Sequence, residues 1–96
     1  MRLLLNIDFD TAKGNELIAA GRMGETLQRI LADIKPEAAY AYALNGRRGM
    51  TLVVDAPDSA SLPSLAEPFW LELEARVEAL PCMNAEELAE GLARLS

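Results

Sequence analysis

The stretch PFWLELEARVEALPCMN, Pro68–Asn84, decides the fold. It holds the only tryptophan, Trp70, the only cysteine, Cys82, and glutamates at positions 72, 74 and 78 around Arg76. Read as a helix, Leu65, Phe69, Leu73, Val77 and Leu80 recur at spacings of three and four, and Glu, Leu and Ala are good helix formers. Read as a strand, Val77, Ala79 and Pro81 alternate with Arg76, Glu78, Leu80 and Cys82. Periodicity alone does not choose between them.

The flanking segments do. RLLLNIDF (residues 2–9) alternates: Leu3, Leu5, Ile7 and Phe9 share one face, and Arg2, Leu4, Asn6 and Asp8 the other. From residue 10 the period changes. Leu17, Met23, Leu27, Ile30 and Ile34 form a helical stripe, capped by Asp10 or Thr11 and ended by Pro36, with Gly21 and Gly24 as a weak spot where the helix kinks or divides. EAAYAYAL returns to period two, with Ala39, Ala41 and Ala43 on one face and Tyr40, Tyr42 and Leu44 on the other. Asn45-Gly46 is a strong hairpin signal, and MTLVVDA is its second strand. Arg47-Arg48 reads as part of the solvated hairpin tip. With a helix in the deciding stretch, the sheet has three strands and lacks a second crossover. With a helix ending near Leu71 and a strand from about Ala75 to Cys82, the order becomes βαββαβ. That is the ferredoxin-like arrangement: a four-stranded antiparallel sheet in an α+β chain. NAEELAEGLARLS then adds a C-terminal helix with Asn84 and Glu87 as a capping box and Leu88, Leu92 and Leu95 as its stripe.

The 96 residues make one domain, 1–96, with a 51% hydrophobic composition that suits a globular chain. The formal charge is -6, from 15 acidic and 9 basic residues, which argues against a nucleic-acid partner. No histidine is present, so histidine general acid/base chemistry, Ser-His-Asp triads, histidine-ligated zinc and histidine-ligated haem are excluded. With one cysteine and no phosphate loop, the expectation is no metal and no cofactor. The lone thiol suits a reducing cytoplasm, and Cys82 reads as a buried, inert side chain. No apolar run reaches the roughly 18–20 residues that span a bilayer, so no membrane partner is expected. IDFDT (residues 7–11) partly matches the Asp-x-Asp motif of haloacid dehalogenase-like phosphatases, but Ala12 stands where that motif wants Thr or Val and the chain is too short for that fold. Asp10 is better read as a helix cap.

KGNELI (13–18), IKPEAAY (34–40), the Asn-Gly hairpin, LAEPFW (65–70) and PCMNAEEL (81–88) together resemble a group of short uncharacterised bacterial proteins of the dimeric α+β barrel superfamily. Some of those carry a panthothenate synthetase label that their size does not support. The resemblance covers nearly the whole chain and implies two ferredoxin-like sheets closing into one barrel around a small organic molecule. It transfers no site residues.

The residues themselves suggest a site. Asn6, Tyr40, Tyr42, Arg76 and Glu78 fall on the sheet face opposite Ala39, Ala41 and Ala43. Small alanines let a helix approach closely, which leaves the polar set on the face that a barrel would enclose. An Arg76–Glu78 pair with two phenols and an amide either satisfies itself or positions an oxygenated ligand. With Tyr40 and Tyr42, the rest of that face, Leu4, Leu44, Thr51, Val53 and Leu80, makes an apolar area that calls for a second subunit. The expected function is a homodimer that binds a small organic molecule. The alternatives are a cofactor-independent oxygenase or isomerase on a cyclic or aromatic compound, with Glu78 as base and Tyr40 or Tyr42 as acid, and a purely structural or regulatory dimer.

Overall fold

A computed structural model describes residues 1–95. The order is β1 (Arg2–Asp8), α1 (Thr11–Ala19), α2 (Met23–Ile34), β2 (Ala38–Leu44), β3 (Arg47–Asp55), a 3₁₀ turn (Ser59–Ser61), α3 (Leu62–Leu73), β4 (Arg76–Pro81) and α4 (Ala85–Ala93). The strands form one sheet in the order β2-β3-β1-β4, with every neighbouring pair antiparallel. The chain is α+β, with a four-stranded antiparallel sheet and four α-helices among the described residues, compatible with a ferredoxin-like fold.

Local chemistry sets the breaks. The Asp10 carboxylate accepts from Lys13 N at 2.9 Å and starts α1. Gly21 has φ of +69°, a conformation most side chains resist, and the single stripe read from sequence divides there into α1 and α2. Asn45 and Gly46 both take positive φ, 55° and 77°, as a two-residue hairpin requires. The deciding stretch contains both structures in turn. α3 runs to Leu73, two residues beyond the expected end, Glu74 turns the chain at φ 48°, and β4 follows.

The core lies between the sheet and one layer of helices. Leu3, Leu5 and Ile7 of β1 pair with Val54, Leu52 and Met50 of β3, so both strands present these residues to the same side. Ile30 of α2 and Phe69 and Leu73 of α3 close over them, all 0–1% exposed. Removing side chains of this size from water is the main force that assembles the layer.

Several expectations need correction. Ala39 and Ala41 do face the helix side, because they pair with Leu52 and Met50, yet no helix covers them. α1, α2 and α3 pack over β1, β3 and β4, which leaves β2 exposed along most of its length. Arg47 and Arg48 belong to β3 and not to the turn. Arg47 donates to the Phe9 carbonyl and pairs with Asp8 at 3.4 Å, while Arg48 donates to Asn15 Oδ1 at 3.0 Å. Arg48 also fills the space beside Gly14, where an added Cβ would meet Arg48 Nη1 at 2.9 Å. Cys82 is half-buried rather than enclosed.

The C-terminal helix has its expected capping box. Asn84 Oδ1 accepts from Glu87 N at 2.8 Å, and Glu87 Oε1 accepts from Asn84 N at 2.9 Å. Its stripe is nevertheless unpacked: α4 has no buried residue, and Leu88 and Leu92 stand exposed. The helix is tied down by Arg2, whose guanidinium bridges Glu87 and Glu37, the latter at 3.1 Å. The hydrogen bond to Glu37, first, and the two carboxylate charges raise the Arg2 pKa further above its ordinary value. No described helix is long and apolar enough to cross a membrane.

The resulting shape is long and thin, 55 × 28 × 17 Å, with a radius of gyration of 15.2 Å. A compact chain of this length has a radius of about 12.5 Å. The accessible surface is 6408 Å², against about 5,400 Å² for a compact monomer of this mass.

Candidate functional site

The sheet face opposite the helices is bare. Alternation along the four strands puts Leu4, Asn6 and Asp8 of β1, Tyr40, Tyr42 and Leu44 of β2, Gly49, Thr51 and Val53 of β3, and Arg76, Glu78 and Leu80 of β4 on this side. Registers fix the neighbours: Asn6 lies opposite Thr51 on one side and Glu78 on the other.

Four of these side chains join into one hydrogen-bonded row that crosses every strand. The Tyr42 hydroxyl is 2.6 Å from Thr51 Oγ1. Thr51 Oγ1 is 2.9 Å from Asn6 Oδ1, and Asn6 Nδ2 is 3.1 Å from Glu78 Oε1. The directions follow from donor inventory. A carboxylate only accepts, so the amide nitrogen of Asn6 must face Glu78. That turns Asn6 Oδ1 toward Thr51, whose single proton goes to it. The Thr51 oxygen then has only a lone pair for Tyr42, so the phenol donates. The row is polarised from Tyr42 to Glu78, with each bond reinforcing the next.

Both ends of the row present acceptors to the open face. The Tyr42 oxygen has given its proton to Thr51 and keeps its lone pairs, and Glu78 Oε2 is not engaged by the row. Between them lies a groove of about 340 Å³, lined by Asn6, Asp8, Tyr42, Leu44, Gly49 and Arg76 among others. Gly49 shapes it. An added Cβ there would sit 3.0 Å from the Ile7 carbonyl oxygen and 3.7 Å from Tyr42 Cε2. The Tyr42 ring, at ordinary contact distance from that position, leans diagonally across β3 and brings its hydroxyl to Thr51.

Of the residues expected from sequence, Asn6, Tyr42 and Glu78 are brought together in the row. Tyr40 shares the face and lies opposite Thr51, but it is 71% exposed and joins no hydrogen bond among the described residues. Arg76 lines the groove without pairing to Glu78; it makes no ion pair among the described residues and is exposed. The reason is strand geometry. Residues i and i+2 stand about 6.8 Å apart along a strand, whereas Asn6 lies directly across from Glu78. Thr51 is expected on this face but not in the site, and it is the member that links Tyr42 to Asn6. No group of three or more Cys, Asp or Glu side chains among the described residues is arranged to hold a metal ion.

Compared with protein-family models and with curated proteins, the chain matches none.

Proposed function

We propose that this chain acts as a homodimer of the dimeric α+β barrel kind and binds a small organic molecule in the groove on its open sheet face. One observation carries the reading: a polar row, Tyr42–Thr51–Asn6–Glu78, spans all four strands on a face that no helix covers. Beside its charged residues, this face has an ordered set of acceptors next to an apolar wall of Leu44 and the Tyr42 ring, the composition typical of ligand grooves. The shape supports the second subunit. The chain exposes about 1,000 Å² more than a compact protein of its mass, and a stable interface covers about 800 Å² on each partner. A second subunit set beside the groove would narrow its opening to water and strengthen the polar contacts in it.

The ligand groups that fit are hydrogen-bond donors, one toward the Tyr42 oxygen and one toward Glu78 Oε2, with Arg76 available for a ligand oxygen. Glu78→Gln separates charge from geometry, since the amide oxygen still accepts from Asn6. Native mass spectrometry of the purified protein, followed by calorimetric titration of any released compound, should show that Glu78→Gln keeps fold and dimer but loses at least about tenfold in affinity, a loss of about 1.4 kcal/mol. Tyr42→Phe should lose less. Unchanged affinity in Glu78→Gln would remove the groove from consideration.

A catalytic reading, a cofactor-independent oxygenase or isomerase, draws on Glu78 Oε2 as a base with a free lone pair facing the groove. The row itself is a poor proton wire, because the Asn6 amide nitrogen donates but does not accept. Tyr42 and Glu78 would therefore act separately, from the two ends of the groove.

A further inference from the structure

The sheet has two edges, and they differ in kind. β4 ends in Pro81, which has no N–H to offer a neighbour, and carries Arg76 and Glu78. Charges and proline are the usual means of blunting an edge. β2 has neither. Its seven residues, AAYAYAL, are the only strand or α-helix among those described that contains no charged side chain. Its pairing with β3 runs unbroken from Ala38↔Val53 to Leu44↔Arg47, so no bulge turns the edge away. Residues 39–44 are all exposed.

We propose that β2 is the edge at which two copies of this chain join, antiparallel about a two-fold axis at Ala41, and that the partner's Tyr40 thereby completes the rim of the groove. This rests on the homodimer reading above and specifies its contact. The occupant is a second copy for two reasons. First, the chain carries a net charge of -6, so two copies repel, and they approach at least cost along the element that carries no charge. Second, the strand is self-complementary. About Ala41, each Tyr40 faces the partner's Tyr42, each Ala39 faces the partner's Ala43, and each Ala38 faces the partner's Leu44. Beyond the strand ends the same register sets Glu37 opposite the partner's Asn45, so no like-charged pair arises. Residues opposite one another in an antiparallel pair share a face. The tyrosines of both chains therefore meet on the open face, two from each copy, and Tyr40, which has no role within its own chain, gains one beside the partner's Tyr42.

The register gives a positional test. In a Cys82→Ser background, Ala41→Cys places its sulfur on the two-fold axis, with Cα atoms about 4.5–5.5 Å apart across the pair, inside the roughly 4.4–6.8 Å range for a disulfide. Ala43→Cys is equally exposed and points to the same side, but its two copies lie about 14 Å apart. Mild oxidation of folded protein should convert most of the Ala41→Cys variant to covalent dimer and leave Ala43→Cys as single chains on a non-reducing gel. Sedimentation of the Cys82→Ser parent at micromolar concentration separates the two readings. A dimeric parent with no cross-link at either position, or equal cross-linking at both, overturns the β2 contact and leaves the homodimer standing. A monomeric parent overturns both.

Discussion

Asn6→Asp tests the row at its centre with almost no change of shape. The side chain keeps an acceptor toward Thr51, but the atom facing Glu78 changes from a donor nitrogen to a carboxylate oxygen. Glu78 Oε1 is 3.1 Å away. Two unit charges at that distance repel by ~1.3 kcal/mol in water-like surroundings and by ~5 kcal/mol at an effective dielectric near 20. Asn6 is half-buried and Glu78 exposed, so Glu78 swings outward and most of the larger value is relieved. Together with the lost hydrogen bond, the expected destabilisation at pH 7.5 is ~2 kcal/mol, or ~8–16 °C in Tm for a domain of this size. The sign with pH is specific. Repulsion raises the folded-state pKa of the carboxyl pair above its unfolded value, so the folded variant binds a proton more readily than the unfolded chain. Its relative stability is therefore greatest at low pH and falls as pH rises through the raised value. Urea melts of variant and wild type should differ clearly at pH 7.5 and draw together as pH falls below the ordinary carboxylate range, where a proton shared by the pair restores a hydrogen bond. A stability gap that does not change with pH would refute the geometry of the row.

Two further outcomes follow from local features. Gly46→Ala forces a Cβ into φ of 77° at the hairpin and should cost ~1–2 kcal/mol in a denaturant melt, while Gly24→Ala, inside α2, should not destabilise. Glu72 is bound by Arg29, with one contact at 3.1 Å, and that hydrogen bond, ahead of the charge attraction, lowers its pKa. The stabilisation it gives is present above the ordinary glutamate pKa and is lost as pH falls through the lowered one. The small stability gap between wild type and Glu72→Gln should therefore be seen at pH 7 and vanish once pH falls below the lowered value.

The legible and illegible parts of this chain divide by sequence distance. The Asp10 and Asn84 caps, the Gly21 break and the Asn45-Gly46 turn depend on residues within a few positions of one another, and composition fixed them. The hairpin register was equally countable, since a two-residue turn that pairs Leu44 with Arg47 also pairs Tyr40 with Thr51. β4 was ambiguous in its own residues and became a strand only because three strands and one crossover make an incomplete sheet. The row on the open face needed something no local rule supplies, the register of β1 against both β3 and β4. Without it, Arg76 is the natural partner for Glu78, Asn6 is a site residue with no assigned neighbour, and Thr51 is only a member of the face. The alanines of β2 misled for a related reason. Small side chains permit a helix to approach, but helix position is set by where Leu5, Leu52 and Phe69 meet, and that lies over the inner strands and β4.

Arg2 gives the molecule a mechanical property. One guanidinium holds Glu37, at the start of the outermost strand, and Glu87, in the first turn of the terminal helix. These segments are 50 residues apart in sequence, and neither buries enough surface to fix the other. A single cation thus acts as a linchpin between two thinly packed parts of the fold. The β2 edge and α4 share one anchoring side chain that lies outside the hydrophobic core.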